Sequence, residues 1–262
     1  MPLLKHELRR GAITLIVWTA AIAFMLGVCV LIYPEMEKQM GEISEMFANM
    51  GSFSAAFGMD KINFGEFMGY FATECGNVLG LGGAFFAALL GITALAKEEK
   101  EHTADFLLTN PVSRPRIVLQ KLCAVFVQLI VLNAAVACVV VLSAKIVGES
   151  PDLRTLVCLL LAYFLLQIEI AAVCFCISAF LRSNGLGIGL GVAALLYFLS
   201  IVANLTEQAE FLKYVTPFGY ANGADIVANG SIDMGYLSVG LAAAVVAVGI
   251  AFFKYCRKDI QG

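Results

Sequence analysis

Across 262 residues the chain is 60% hydrophobic and only 14% charged, with a mean hydropathy of +0.87 and a formal net charge of −3. A water-soluble domain carries roughly 25% charged residues, so that class is excluded and most of this chain must face lipid or its own interior. No basic stripe suits nucleic acid.

The pattern predicts an all-α membrane protein: a single transmembrane domain over residues 1–262, with six transmembrane helices. Residues 2–10 set Leu3, Leu4 and Leu8 against Lys5, His6, Arg9 and Arg10, which predicts an amphipathic helix lying in the interface. The first span, about 11–33, is uncharged and long enough for about 30 Å of hydrocarbon. It is too long for a signal peptide, and no small-x-small cleavage site follows. An acidic outer loop, 34–66, repeats Met36, Met40, Ile43, Phe47 and Met50 at helical steps, an amphipathic helix on the outer surface. The second span, about 67–96, is interrupted by Gly80, Gly82 and Gly83. A polar stretch, 97–121, leads to the third span (about 122–144) and the fourth (about 155–181). The tight turn Arg182-Ser183-Asn184 opens the fifth (about 185–204). A second outer loop, 205–235, is divided by Pro217 into two short helical pieces, and the sixth span runs from about 236 to 253.

Six spans put both termini on one side. That side carries Lys5, Arg9, Arg10, Lys97, Lys100, Arg114, Arg116, Lys121, Arg182, Lys254, Arg257 and Lys258. The other carries Lys38, Lys61, Lys145, Arg154 and Lys213. Twelve of the 17 basic residues on one side make it cytoplasmic by the positive-inside rule. The expected location is the cell membrane, as a multi-pass protein, in a bacterial source.

Few groups could carry chemistry. The eight cysteines lie in apolar runs apart from Cys256 and form no CxxC pair, so they read as small buried side chains rather than a disulfide framework or metal site. His6 and His102 are too peripheral for a metal centre. No phosphate loop occurs, since the chain contains no Gly-Lys step; the chain is not expected to be an enzyme, with no catalytic residues, metal ligands or cofactor of its own. The run Gly185, Gly187, Gly189 and Gly191 fails the dinucleotide fingerprint but supplies two GxxxG steps for close helix packing. Glu169 is the one carboxyl near mid-membrane, about 20 Å in from the cytoplasmic face by its distance from Arg182. Asn133 reaches a similar depth on the third span, which predicts a Glu169–Asn133 hydrogen bond, either interhelical glue or a polar spot in a pathway. Glu74 and Asn77 fall near the outer mouth of the second span, as a solvated helix end or a pathway lining.

Residues 97–121 read as more than a loop. Thr103 can cap a short helix with Asp105 in its first turn, Phe106, Leu107 and Leu108 give it an apolar side, and Asn110-Pro111 ends it. Ser113 can cap the next helix, with Pro115 in its first turn. A hydrophobic-faced helix held at the membrane surface is a docking element.

The run Glu98-Glu99-Lys100-Glu101-His102-Thr103-Ala104-Asp105-Phe106-Leu107-Leu108-Thr109-Asn110-Pro111-Val112-Ser113-Arg114 resembles the signature loop of ABC type-2 exporter permeases, loosely E-x-x-x-G-T-x-x-x-L-L-x-x-P-V-S-R before a helix ending in Gly-Lys. The order of spans and outer segments is similar along nearly the whole chain. His102 stands where glycine is usual, and Gln120 replaces the glycine before Lys121. The resemblance implies a second permease half, the same chain or a paralogue, and a separate ABC ATPase subunit in two copies that holds ATP and Mg. It implies that Glu98, Glu99, Glu101, His102, Thr103, Asp105, Phe106, Leu107 and Leu108 couple to that ATPase, and that the second and fifth spans line the path. The expected function is ATP-driven export of a hydrophobic or amphiphilic substrate such as a peptide, drug or lipid. The alternatives are a sodium-extruding ABC permease, a proton-coupled carrier using Glu169, and a purely structural or immunity membrane protein.

Overall fold

The computed structural model describes residues 2–38, 66–96, 113–181 and 185–258. Among them are six helices long and apolar enough to cross a membrane. Span one is α1 (Pro2–Glu37). Span two is α2 (Phe67–Cys75), a π-helical turn (Gly76–Leu81) and α3 (Gly82–Ala94). Spans three to five are α4 (Arg114–Val147), α5 (Leu153–Ser178) and α6 (Leu186–Leu205). A 3₁₀ helix (Glu207–Tyr214), a second 3₁₀ turn (Pro217–Gly219) and the short α7 (Gly223–Asn229) precede α8 (Met234–Arg257), span six.

Spans two and four form the interior: 61% and 56% of their apolar windows are buried, against 17–33% for the other four. Small residues explain how they approach. A β-carbon at Gly91 would run into Ala171 O and Phe175 N of α5, and one at Gly83 would run into Gln167. Without side chains at these points the two backbones pack directly, the usual route to helix association in lipid. The peripheral spans present apolar faces outwards, with Ile13, Ile16, Phe24, Phe198 and Val245 exposed, as lipid contact requires.

The helix ends follow local chemistry. Helix α4 starts directly after Ser113, whose carbonyl accepts from the Arg116 and Ile117 amides, with Pro115 in the first turn. It ends at Gly148, φ 85°, whose N–H returns to Ala144 and Lys145, a left-handed cap that glycine makes without strain. The Asp152 carboxylate caps α5 through the Thr155 hydroxyl and amide at 2.6 and 3.0 Å, and the hydroxyl bond first of all holds it below its usual pKa.

Two expectations change. Residues 2–10 are not a separate piece: α1 runs unbroken through Gly11, where it sits against Gln128 of α4 too closely for a side chain. Nor does span one stop before Pro34. Tyr33 packs edge-on against Phe67 at 5.2 Å and beside Tyr70 at 5.4 Å, and this aromatic cluster carries the helix to Glu37. The rest of the outer helix expected over 34–66 lies outside the described residues.

The second outer segment goes deeper than a loop. The Thr216 hydroxyl donates to Leu196 O at 2.8 Å, nine residues inside the C-terminal end of α6 and so about 13 Å down. Phe218, Gly219, Tyr220 and Ala221 are buried there, Phe218 edge-on to Tyr197 at 5.3 Å. Irregular backbone is tolerated at such depth because protein, not lipid, surrounds it.

Candidate functional site

Three places along the bundle bring polar groups together. At mid-depth, Glu169 and Asn133 do not meet. Asn133 Nδ2 donates to Gln167 Oε1 at 2.6 Å and to Leu129 O at 2.9 Å. The Glu169 carboxylate instead accepts from the Tyr220 hydroxyl at 3.1 Å, and a β-carbon at Gly240 of α8 would run into its Oε2. The reason is azimuth. Residues two apart on a helix point about 200° apart, so Gln167 faces α4 while Glu169 faces α8 and the inserted outer segment. Asn133 Oδ1 and Gln167 Nε2 are buried without a hydrogen-bond partner among the described residues.

Towards the end of the bundle away from the N-terminus, the π-helical turn of span two borders a small cavity of about 70 Å³. Its wider turn rests on Tyr163, whose hydroxyl oxygen lies 3.0 Å from the β-carbon position of Gly76 and whose ring edge lies 3.0 Å from that of Gly80; π-turns of this kind recur at functional sites. Thr73, Asn77, Tyr163, Tyr197, Ser200, Asn204 and Asn222 line the cavity, so Asn77 faces it from span two and Asn204 from span five. Glu74 points elsewhere, 3.7 Å from Cys29 Sγ on α1. On the other flank, α4, α5 and α8 splay around an apolar groove of about 620 Å³ lined by Val125, Phe126, Ile168, Ala172, Leu241 and Ala244.

At the opposite end, cationic side chains satisfy carbonyls at or just beyond the ends of three spans. Lys121 Nζ donates to Ala94 O at 2.7 Å and pairs with Glu7 at 3.1 Å. Arg114 donates to Lys258 O at 2.6 Å and Cys256 O at 3.4 Å. Lys258 Nζ donates to Leu181 O at 2.7 Å. Helix C-termini leave four carbonyls unpaired and carry partial negative charge, so Lys121 and Arg114 answer both needs, while Lys258 ties the chain just beyond α5. The ends of spans two, four and six and the starts of spans one and three are thereby fastened together on one face.

A family model described as "ABC-2 family transporter protein" matches residues 1–260. The chain belongs to the ABC-2 transporter family. No curated protein matches it. It is therefore the membrane-spanning permease of an ABC transporter, a multi-pass membrane protein whose family works with an ATPase partner.

In the permease, Glu98, Glu99, Glu101, His102, Thr103, Asp105, Phe106, Leu107 and Leu108 lie outside the described residues. The fifth-span glycines divide. Gly185 and Gly189 sit against Ile92 of span two, and Gly189 also against Ala88 O, whereas Gly187 and Gly191 have open space around them among the described residues. Tyr220, Tyr163 and the Glu7–Lys121 pair are not legible in the sequence. The spacing of Gly76, Gly80 and Gly83 was the available signal for a large side chain resting against span two.

Proposed function

We propose that this permease exports a hydrophobic or amphiphilic substrate (a peptide, drug or lipid) from the cytoplasmic side, paired with a second permease half and driven by two ATPase subunits. Both termini and residues 97–121 are then cytoplasmic, in keeping with the twelve basic residues there. The observation that carries the substrate class is the polarity of the two spaces. A large apolar groove opens between α4, α5 and α8, and a small polar cavity between spans two and five lies under the inserted segment. A molecule with an apolar body and a polar end matches both. Sodium extrusion is less well supported, because Glu169, the one buried carboxylate among the described residues, has a tyrosine hydroxyl and a glycine as neighbours there rather than further carboxylates. The same contact favours interhelical glue over a proton relay.

The test is transport in proteoliposomes containing the permease and its ATPase, with a panel of lipophilic amphiphiles. Accumulation is expected to require ATP, to stop with vanadate and to ignore a protonophore. Glu169→Gln retains an oxygen for the Tyr220 hydroxyl, so transport stays within about threefold of wild type, the scale of a neutral hydrogen bond replacing a charged one. Collapse with the proton gradient, together with loss in Glu169→Gln, would establish the carrier reading instead.

A further inference from the structure

We infer that Lys121 is a positioning residue for coupling: by fastening Ala94 and Glu7 to α4, it makes spans one, two and three move as one body under load. The inference rests on the proposed ATPase-driven reading. Lys121 lies two turns into α4 with 1% of its side chain exposed. Its amino group reaches the final carbonyl of α3 at 2.7 Å and the Glu7 carboxylate of α1 at 3.1 Å. The preceding residue, Gln120, accepts the Leu4 amide at 3.3 Å, one of the unpaired donors at the start of α1. Two consecutive residues thus hold the start of one helix and the end of another against a third.

The position of the tie matters. Residues 97–112 connect α3 to α4 along the chain, so any force applied to them arrives at Ala94 on one side and Arg114 on the other. Untied, the two helices could tilt apart and dissipate the displacement. The pair resists this, because Lys121 is buried and separation would strand its desolvated charge. Apolar packing would hold the helices together equally well without fixing their register; a buried ion pair fixes register in particular. A polar cavity of about 80 Å³ lined by Glu7, Arg10, Thr14, Thr93, Lys121 and Gln128 adjoins the tie.

The test uses the full permease–ATPase complex in lipid. Glu7→Gln with Lys121→Met removes the link and leaves no unpaired buried charge, so the double variant is expected to insert and to assemble. Two quantities are read: ATP hydrolysis, and the change in hydrogen–deuterium exchange of residues 215–229 on trapping with ATP and vanadate. In the double variant hydrolysis stays within about twofold of wild type while the exchange response falls at least about fivefold, the low end of a typical coupling. Lys121→Arg, which keeps the donors, restores it. A full exchange response in the double variant overturns the inference. So does a joint loss of assembly, hydrolysis and response, which would mark a merely structural pair. If wild type itself shows no nucleotide-dependent change, the ATPase-driven reading fails and this one falls with it.

Discussion

Phe106→Asp is expected to abolish transport while the permease still inserts and the ATPase still hydrolyses ATP at its own rate. Phe106, Leu107 and Leu108 are an apolar run, read as one side of a short helix, in a stretch otherwise rich in charge. On the coupling reading that side fills a groove on the ATPase, and Glu98, Glu99 and Glu101 meet its basic residues. A buried aromatic at the centre of such a contact is worth about 2 kcal/mol or more; replacing it with a carboxylate also places a charge in the groove without a partner. Transport should fall at least about thirtyfold, the rate equivalent of that loss. The spans are untouched, so membrane yield and thermal stability stay at wild-type values. Normal transport with full stimulation of the ATPase would show that the segment docks elsewhere.

Gly91→Leu is expected to disrupt the bundle itself. Even a β-carbon at this point would overlap Ala171 O and Phe175 N. These are backbone atoms in mid-helix that cannot move aside without breaking hydrogen bonds in α5. The remaining three carbons would wedge apart spans two and four, the most buried spans among the described residues. Overpacking a filled core costs roughly 1–3 kcal/mol where side chains can give way, and here backbone must give way, so the loss exceeds that range. Thermal unfolding in detergent should show an unfolded or aggregated variant. Gly191→Leu, with open space around Gly191 among the described residues, is the control and should unfold at the wild-type temperature. Equal stability of the two variants would contradict the packing described for Gly91.

What could be read from the sequence divides along a physical line. Hydropathy and length depend on how much of a segment is apolar, so six spans were legible, as were the start of α4 after Ser113 and the breaks around Pro217. Depth along a helix was legible too, and Asn133 does meet a polar group on α5. Azimuth was not: Gln167 rather than Glu169 faces α4, and nothing in one sequence says which way a helix is turned. The fifth-span glycines make the same point. Gly185/Gly189 and Gly187/Gly191 are offset by two residues and so lie on nearly opposite faces, and only the first pair can pack on span two. Tyr220 was invisible as a partner for Glu169 because a residue in an outer segment has no depth until that segment is seen to insert. Lys121 read as one more basic residue at a span end. Its burial depends on α1 continuing back to Pro2, which the amphipathic pattern of residues 2–10 does not convey.

The central claim is that residues 97–112 receive work from a separate ATPase and pass it into the spans. A photo-crosslinking amino acid placed at Phe106 in the intact membrane tests it most directly, by identifying what the side chain touches. The expected product is a covalent adduct with a phosphate-loop ATPase, strengthened when ATP and vanadate trap the complex. Adducts with lipid alone, in the presence and absence of nucleotide, would contradict it.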